Sequence, residues 1–255
     1  MDLWSFGGTY FTLAGATNVV DLSSGYDLPP VKGSNADIPM REGKYALEKM
    51  FDQRIVTLGM TLMGTSIRDF ESKLDVLKNL FGKRARQYLG WTVADGTVRR
   101  ALAEVVKFDT RLVSPIYAKL TVDFVMAEPF FRSTIQTSDL QTISASPTLY
   151  SLTHAGTVSE RGAIVTFTGP LDYPKLTNLT NGVYVGYNDA IGNGVAVVID
   201  CGAFTCKQGV TSYLNKLVHS GDAYFFKLEP GVNSLQVDSN VTGGTVKIEF
   251  YPPYL

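Results

Sequence analysis

Residues 54–82, RIVTLGMTLMGTSIRDFESKLDVLKNLFG, change their apolar period halfway along, and this change decides the fold of the first half of the chain. Up to residue 63 the apolar residues occupy every second position, which predicts a strand with one buried face. They are Val56, Leu58, Met60 and Leu62. Beyond residue 66 the apolar residues recur at helical spacing. They are Ile67, Phe70, Leu74, Leu77 and Phe81. Ser66 and Asp69 form a capping box, so we predict a single amphipathic helix over about 66–81.

The rest of the first half is predicted to consist of strands and loops. Strands are expected at 87–93, 97–109 and 116–126, with Asp95-Gly96 as a hairpin turn between the first two. In the last strand, Lys119 and Asp123 lie opposite the apolar face, so their face is solvated or meets a neighbour. Residues 26–50 carry Pro, Gly and Asn at short intervals. They predict a long loop, which is either a mobile surface excursion or a partner contact.

The second half of the chain is predicted to be an antiparallel sandwich. Residues 133–148 are rich in Ser, Thr and Gln, so we predict a linker between an N-terminal domain (1–132) and a C-terminal domain (149–255). Regularly spaced short strands follow, at 163–168, 174–179, 182–187, 195–200, 204–207, 223–228, 232–238 and 245–251. The predicted fold class is therefore mainly β, with two β-sandwich domains, of which the N-terminal one carries the single amphipathic helix.

Composition limits the class of protein. A length of 255 residues suits two domains, and 23 Lys and Arg against 24 Asp and Glu exclude a polycationic nucleic-acid binder. The 18% of charged residues is below the usual roughly 25%, which indicates apolar surface that an oligomer covers. No apolar run is long enough for a membrane helix, and the start lacks a secretion signal. We therefore expect no membrane anchor, and folding in a cytoplasm.

No catalytic arrangement stands out in the sequence. Nucleophile-elbow, Walker and dinucleotide-binding motifs are absent, so we expect neither an enzyme nor a cofactor. His154 and His219 do not stand at zinc-module spacing from Cys201 and Cys206, so no metal site is expected and both histidines are predicted to lie in exposed loops. The two cysteines form either a hairpin disulfide or, as we favour, two reduced thiols; their redox state stays open.

Two tyrosines of the second half are candidate sugar contacts. Tyr184 and Tyr187 stand near predicted loops, and an aromatic ring in such a place can stack against a sugar ring. Ordinary packing in the core or at its rim is the alternative that we favour.

The order of motifs along the chain resembles that of the distal tail proteins of siphovirus-type bacteriophages. In the first half, the resemblance rests on a Gly-rich aromatic start, the long loop, a strand ending Met63-Gly64-Thr65-Ser66, the helix, and FVMAEPFF at 124–131. In the second half, it rests on FTG at 167–169, PKLTN at 174–178, FKLEPGVNSL at 226–235 and VKIEFY at 246–251. It covers nearly the whole chain.

This resemblance implies a structural role in the virion. Its relatives have a tail-tube-like N-terminal domain and a galectin-like C-terminal domain. They form a hexameric ring at the tail tip that joins the tail-tube protein to the tail hub protein, with receptor-binding proteins attached peripherally. DNA passes through the channel only as cargo, and assembly takes place in the host cytoplasm.

The resemblance also suggests which residues touch a neighbouring copy. We expect contacts from Lys119 and Asp123 on the strand face, and from four residues of the long loop that become ordered on a neighbour: Tyr26, Leu28, Met40 and Arg41. Two other functions stay open. One is a carbohydrate-binding adsorption module that uses Tyr184 and Tyr187, and the other is a tail-tube subunit with an added C-terminal domain.

Overall fold

The computed structural model describes residues 4–11, 18–24, 27–37, 42, 44–45, 49–220 and 225–255. The chain divides into an N-terminal unit, which runs to Thr134 and includes Leu255, and a C-terminal unit, Ile135–Tyr254. The fold class predicted from the sequence, mainly β with two domains and one helix, is confirmed. None of the described helices is long and apolar enough to cross a membrane.

The N-terminal unit is built on one antiparallel sheet. Its elements are β1 (Trp4–Phe6), β2 (Thr9–Tyr10), β3 (Asn18–Ser24), β4 (Val31–Lys32), β5 (Ala36–Asp37), β6 (Lys44–Tyr45), β7 (Met50–Phe51), β8 (Arg54–Met63), α1 (Ile67–Phe81), β9 (Gln87–Thr92), β10 (Val98–Ser114), β11 (Tyr117–Met126) and β12 (Phe131–Ser133). The spatial order is β2-β1-β9-β10-β11-β8-β3, and β12 also pairs with β10.

The helix begins and ends close to where the sequence predicts. The Asp69 N–H donates to Ser66 Oγ at 3.2 Å, while the Asp69 carboxylate accepts from the Thr65 N–H at 2.8 Å. Gly82 caps the other end in a right-handed conformation, with φ −73°, where a Cβ would lie 2.7 Å from the Lys78 carbonyl oxygen. The predicted apolar face is correct except for Ile67, which is 57% exposed.

The core of the N-terminal unit lies between α1 and one face of the sheet. Phe81, at the end of the helix, packs against Phe11 at 5.4 Å, Phe108 at 5.5 Å and Phe124 at 6.0 Å between ring centroids. Burying one such side chain contributes about 1.5–3 kcal/mol. These aromatic contacts therefore fix the helix on the face formed by the alternating residues of β8 and β11.

The C-terminal unit is a two-sheet antiparallel sandwich, as predicted. Its strands are β13 (Thr137–Thr142), β14 (Thr148–His154), β15 (Ile164–Thr168), β16 (Leu171–Asp172), β17 (Lys175–Asn178), β18 (Tyr184–Tyr187), β19 (Ala190–Ile191), β20 (Ala196–Asp200), β21 (Thr205–Gln208), β22 (Thr211–Ser212), β23 (Leu217–His219), β24 (Gly231–Asp238), β25 (Thr245–Phe250) and β26 (Pro253–Tyr254), with a 3₁₀ turn at Leu214–Lys216. One sheet has the order β13-β25-β15-β20-β21-β22 and the other β14-β24-β17-β18-β23.

Two predictions about this half are wrong. The supposed linker 133–148 contains β13, which pairs with β25 over six residues, so this polar stretch is an outer strand of the sandwich. A strand with one solvated side needs few apolar residues, and its composition is therefore similar to that of a linker. The strand expected at 223–228 is not formed at 225–228, where only Leu228 makes an isolated bridge; residues 223–224 lie outside the described part of the chain.

A buried asparagine network holds the turn before β24. The fully buried Asn233 accepts from the Glu229 N–H at 2.8 Å and from Asn178 Nδ2 at 2.8 Å, and it donates to the Glu229 carbonyl at 2.7 Å. Asn178 in turn accepts from the Thr180 N–H at 3.0 Å. The Pro-Gly-x-Asn stretch at 230–233 is thus a fixed part of the core as well as a turn.

We predict that Asn233→Ala destabilises the C-terminal unit by about 2–3 kcal/mol, because the buried Glu229 N–H loses its acceptor. Circular dichroism during denaturation would show an earlier transition for the sandwich. Both tryptophans, Trp4 and Trp91, lie in the N-terminal unit, so the fluorescence transition should not move. An unchanged sandwich transition would contradict this role of Asn233.

We also predict an acid-sensitive contribution from Glu229. Burial raises the pKa of its carboxyl, but hydrogen bonds from Lys227, Ser159 and Asn181 outweigh burial and hold the pKa below its ordinary value of 4.5. A lowered pKa stabilises the fold above the unfolded value, and this stabilisation is lost as pH falls through the folded value. Glu229→Gln should therefore flatten the loss of stability below pH 4.5, whereas Glu71→Gln on the exposed helix face should not. If the free energy of unfolding falls equally steeply below pH 4.5 in the wild type and in Glu229→Gln, this contribution of Glu229 is refuted.

Candidate functional site

The face of the N-terminal sheet opposite the helix carries the polar residues predicted from the sequence. Along β11, buried residues alternate with Lys119, Thr121 and Asp123, as the period of two requires. Asp123 is half-buried and accepts from Thr57 Oγ1 at 2.7 Å, so the sheet itself holds its carboxylate. Lys119 is exposed, as predicted.

Two cations face each other on this surface. Lys119 of β11 lies directly opposite Arg111 of β10, and both side chains are exposed. Among the described residues neither takes part in an ion pair, whereas nearby Lys107 pairs with Asp109 at 2.7 Å. Like charges directly across a strand pair repel each other. The pair is therefore suited to an acidic group supplied by another molecule.

The sheet has open edges on both sides of this face. Residues 98–103 of β10 pair with β9, but residues 104–114 have β11 on one side and no described strand on the other. Beyond β11 and β8, β3 is the last strand. The segment β10-β11-β8-β3 thus presents unpaired backbone groups at both ends, which is the geometry that strand addition requires.

Apolar side chains lie along the open part of β10. Val106 is 55% exposed, Leu112 is 64% exposed and Val113 is 57% exposed. The pairing of β10 with β11 shifts register between Val105 and Lys107 and again between Leu112 and Ser114. The sequence analysis did not identify this surface. The signal available was the run of apolar and charged residues that continues beyond 109, where the strand had been predicted to end.

The predicted loop at 26–50 contains a nested hairpin, which we define as residues 31–51. In it β4 pairs with β7 and β5 pairs with β6. Arg54 anchors the base: its guanidinium donates to the Asp27 carbonyl at 2.9 Å and to the Pro129 carbonyl at 3.3 Å, and it lies 5.7 Å from the centroid of the Phe131 ring. Burial lowers the pKa of Arg54.

Only one of the four predicted contact residues of this loop lies in the described part of the chain. Leu28 is 68% exposed and lines an open cavity of about 320 Å³ with Asp27, Pro30, Asp52, Gln53, Arg54 and Ile55. Tyr26, Met40 and Arg41 lie outside the described residues.

The two candidate sugar contacts are separated by the structure. Tyr184 lies half-exposed on the outer face of the sandwich, with Lys175 Nζ 5.4 Å from its ring centroid. Tyr187 is 2% exposed and packs edge-on against Tyr213, with 6.4 Å between centroids. Its ring has no free face for a sugar. Burial raises the pKa of Tyr187, which agrees with its place in the core.

The histidines and cysteines differ partly from their predicted environments. His154 is 1% exposed, contrary to the prediction of an exposed loop residue; its Nδ1 accepts from the Gly156 N–H at 3.1 Å and its Nε2 lies 2.7 Å from the Val158 carbonyl oxygen. Both cysteines are free and buried, and burial raises the pKa of Cys201 to about 12 and that of Cys206 to about 11. Cys206 lies opposite Ile199, not Cys201. The described residues contain no group of three or more potential metal ligands.

Comparison with known proteins matches the second half of the chain to a family model and nearly the whole chain to a solved fold. A family model, "Siphovirus-type tail component, C-terminal domain", matches residues 155–254. The crystal structure of the SPP1 Dit protein, described as a paradigm of the hub adsorption apparatus in phages that infect Gram-positive bacteria, is similar with a TM-score of 0.73. That match covers 97% of this chain and 98% of the other at 12% identity, a level that establishes the fold alone. No curated protein matches the chain.

Two baseplate structures are more distant. The phage P2 baseplate in its activated conformation with Ca matches with a TM-score of 0.39 and 10% identity, over 91% of each chain. The same baseplate with Sr gives 0.38 and 11%, over 92% of this chain and 91% of the other. Similarities of this size are too low to support an argument.

Over nearly the whole chain, the fold is thus that of the SPP1 Dit protein. More particularly, residues 155–254 match the C-terminal domain of a siphovirus-type tail component, which agrees with the resemblance to distal tail proteins seen in the sequence. The family that this half of the chain matches is one of structural components of phage tails.

Proposed function

We propose that the chain forms a closed ring of six copies at the distal end of a long non-contractile tail. The ring joins the tail-tube protein to the tail hub protein, carries receptor-binding proteins at its periphery and leaves a channel for DNA. It assembles in the host cytoplasm and has no enzymatic activity. The observation that carries this proposal is the four-stranded segment β10-β11-β8-β3, which is open at both ends.

Open edges at both ends favour a head-to-tail ring. When β3 of one copy adds to the open part of β10 of the next, the same contact repeats around one rotation axis until the ring closes. Six copies give a continuous belt of twenty-four strands, with a circumference of roughly 115 Å at about 4.8 Å per strand. Barrels of about 16–18 strands already leave an aqueous channel, so this belt is open.

Charge and apolar surface on the same segment support the contact. Pairing at the β10 edge covers Val106, Leu112 and Val113, whose exposure is otherwise unfavourable. The exposed cations Lys119 and Arg111 lie next to this edge and take an acidic group from the neighbouring copy or the tube. A carbohydrate-binding module is less well supported, because only Tyr184 of its two candidate rings is accessible.

We predict that Val113→Lys prevents ring formation and leaves the fold intact, since Val113 is 57% exposed and a further cation near Arg111 and Lys119 cannot be buried unpaired at the closing edge. Light scattering behind a sizing column should give six times 27.8 kDa for the wild type and 27.8 kDa for the variant. Val210→Lys, at a 99% exposed position, is the matched control and should keep the ring. A Val113→Lys species at six times 27.8 kDa would contradict closure through β10.

We predict that the nested hairpin also contributes to the ring. The Asp52 N–H donates to the Pro30 carbonyl at 2.6 Å, so residues 31–51 can be replaced by two glycines without displacing the ends. This deletion should leave a folded monomer that forms no ring, with the Trp4 and Trp91 fluorescence of the wild type. Rings of normal size and infectious particles from the deleted chain would show that the hairpin is only a surface excursion.

A further inference from the structure

One long strand edge of the molecule lacks every usual protection against pairing. Proteins block open edges with charged residues, proline, inward-pointing charges or bulges. Among the described open edges longer than three residues, β3 and β10 have register shifts, which restrict the strands that can add to them without excluding a complementary one, and β13 has Asp139 on its inner face. β14 has no Lys, Arg, Asp, Glu or Pro, and its seven residues pair with β24 in unbroken register.

The backbone of β14 directs hydrogen-bonding groups toward this open edge. On β24, the Ser234 N–H donates to Thr180 Oγ1 at 3.0 Å and the Ser234 carbonyl accepts from the Leu179 N–H at 2.8 Å. Both groups therefore point away from β14, so Ser151 and Ser234 form a non-hydrogen-bonded pair. The N–H and C=O of Ser151 must then face outward, and those of Leu149 and Thr153 do so by the period of two.

The side chains of β14 are also suited to a partner. Leu149 is 62% exposed on the outer face, where Ser151 and Thr153 are exposed with it. On the inner face, the hydroxyl of Tyr150 is buried and has no hydrogen-bond partner among the described residues. Burial raises the pKa of Tyr150, and the negative charge of Asp139 raises it further, so this hydroxyl stays protonated and can donate. Buried hydroxyls are normally paired, so a strand that adds at this edge can satisfy Tyr150 with a hydrogen-bonding group of its own.

We propose that β14 is a docking edge for an extended segment of a different tail-tip protein, which adds to its sheet as a sixth strand. The inference rests on the proposed function. Copies in a ring are related by one rotation axis, so adjacent copies cannot pair the same edge with itself, which requires a two-fold axis between them. The open edges β3 and β10 are already used in closing the ring, and β13 is blocked by the inward charge of Asp139, so the occupant is another chain.

The edge also defines the chemistry of its occupant. The segment places an apolar side chain beside Leu149 and short polar side chains beside Ser151 and Thr153. On the inner side it supplies a hydrogen-bonding group to Tyr150. Because β14 carries no Lys, Arg, Asp or Glu, main-chain hydrogen bonds supply most of the affinity, as in other cases of strand addition.

The test separates the backbone of Ser151 from its side chain. Ser151→Pro removes an N–H that faces the open edge and leaves the bonds to β24 in place, and proline is tolerated at such positions. Ser151→Ala keeps the N–H and is the matched control. Thr153→Pro, with the same orientation, is a second variant if Ser151→Pro does not fold.

Hydrogen exchange would be measured by mass spectrometry on the isolated chain and on assembled tails. We expect the Leu149, Ser151 and Thr153 amides to exchange at least tenfold more slowly in wild-type and Ser151→Ala tails than in the isolated chain. In tails that contain Ser151→Pro, the remaining two amides should lose this protection, and one tail-tip component should dissociate from the tail.

Three results would overturn the inference. If these amides exchange at equal rates in tails and in the isolated chain, no strand is docked on β14, while the proposed ring is not contradicted. A species of twice 27.8 kDa whose β14 amides are protected, and which Ser151→Pro converts to monomer, would make a second copy the occupant. If the chain is absent from purified tails, the proposed function fails, and the inference fails with it.

Discussion

A strand at the edge of a sheet leaves a row of N–H and C=O groups unpaired, and the arrangement of such edges is the constraint on which the assembly that we propose for this chain depends. Helix α1 and the aromatic cluster around Phe81 occupy one face of the N-terminal sheet, so that face is unavailable to a partner. What remains accessible is the opposite face and the two ends of β10-β11-β8-β3. Because α1 packs on one face of the sheet, the opposite face and the two strand edges are left for the contacts that we propose with further copies.

The open edges of the two units differ in charge and regularity, and this difference agrees with the partners that we propose for them. An edge that pairs with a copy of the same chain must not pair at random, and charged residues with register shifts on β10 restrict it to one complementary partner. An uncharged, regular edge such as β14 is less selective by itself. Its selectivity has to come from side chains on either face, which is where Leu149 and the unpartnered Tyr150 hydroxyl lie.

Local patterns in the sequence predicted the elements whose two faces differ strongly. The alternation in 54–63 and the capping box at Ser66 gave β8 and α1 within a residue, because one buried face imposes a regular period. Strand β13 was mistaken for a linker because its only neighbour is β25 and it contributes little to the core. The opposite orientations of Tyr184 and Tyr187 were within reach of sequence reasoning, since residues three apart on a strand lie on opposite faces. The environment of His154 was not, because its partners become neighbours only when the segment after β14 folds back on itself.

The interaction surface itself was the least predictable feature, and the reason is physical. Lys119 and Asp123 were predicted because the alternation of apolar and polar residues can be recognised in the sequence. The Asp123 carboxylate, however, already accepts a hydrogen bond from Thr57 within the sheet. The open edges of β10 and β14 consist of main-chain groups that every residue possesses, so no residue type marks them. They become visible only once the order of the strands is known. Motifs along this chain therefore predicted the proteins that it resembles, whereas the edges through which we propose that it assembles have to be read from the topology.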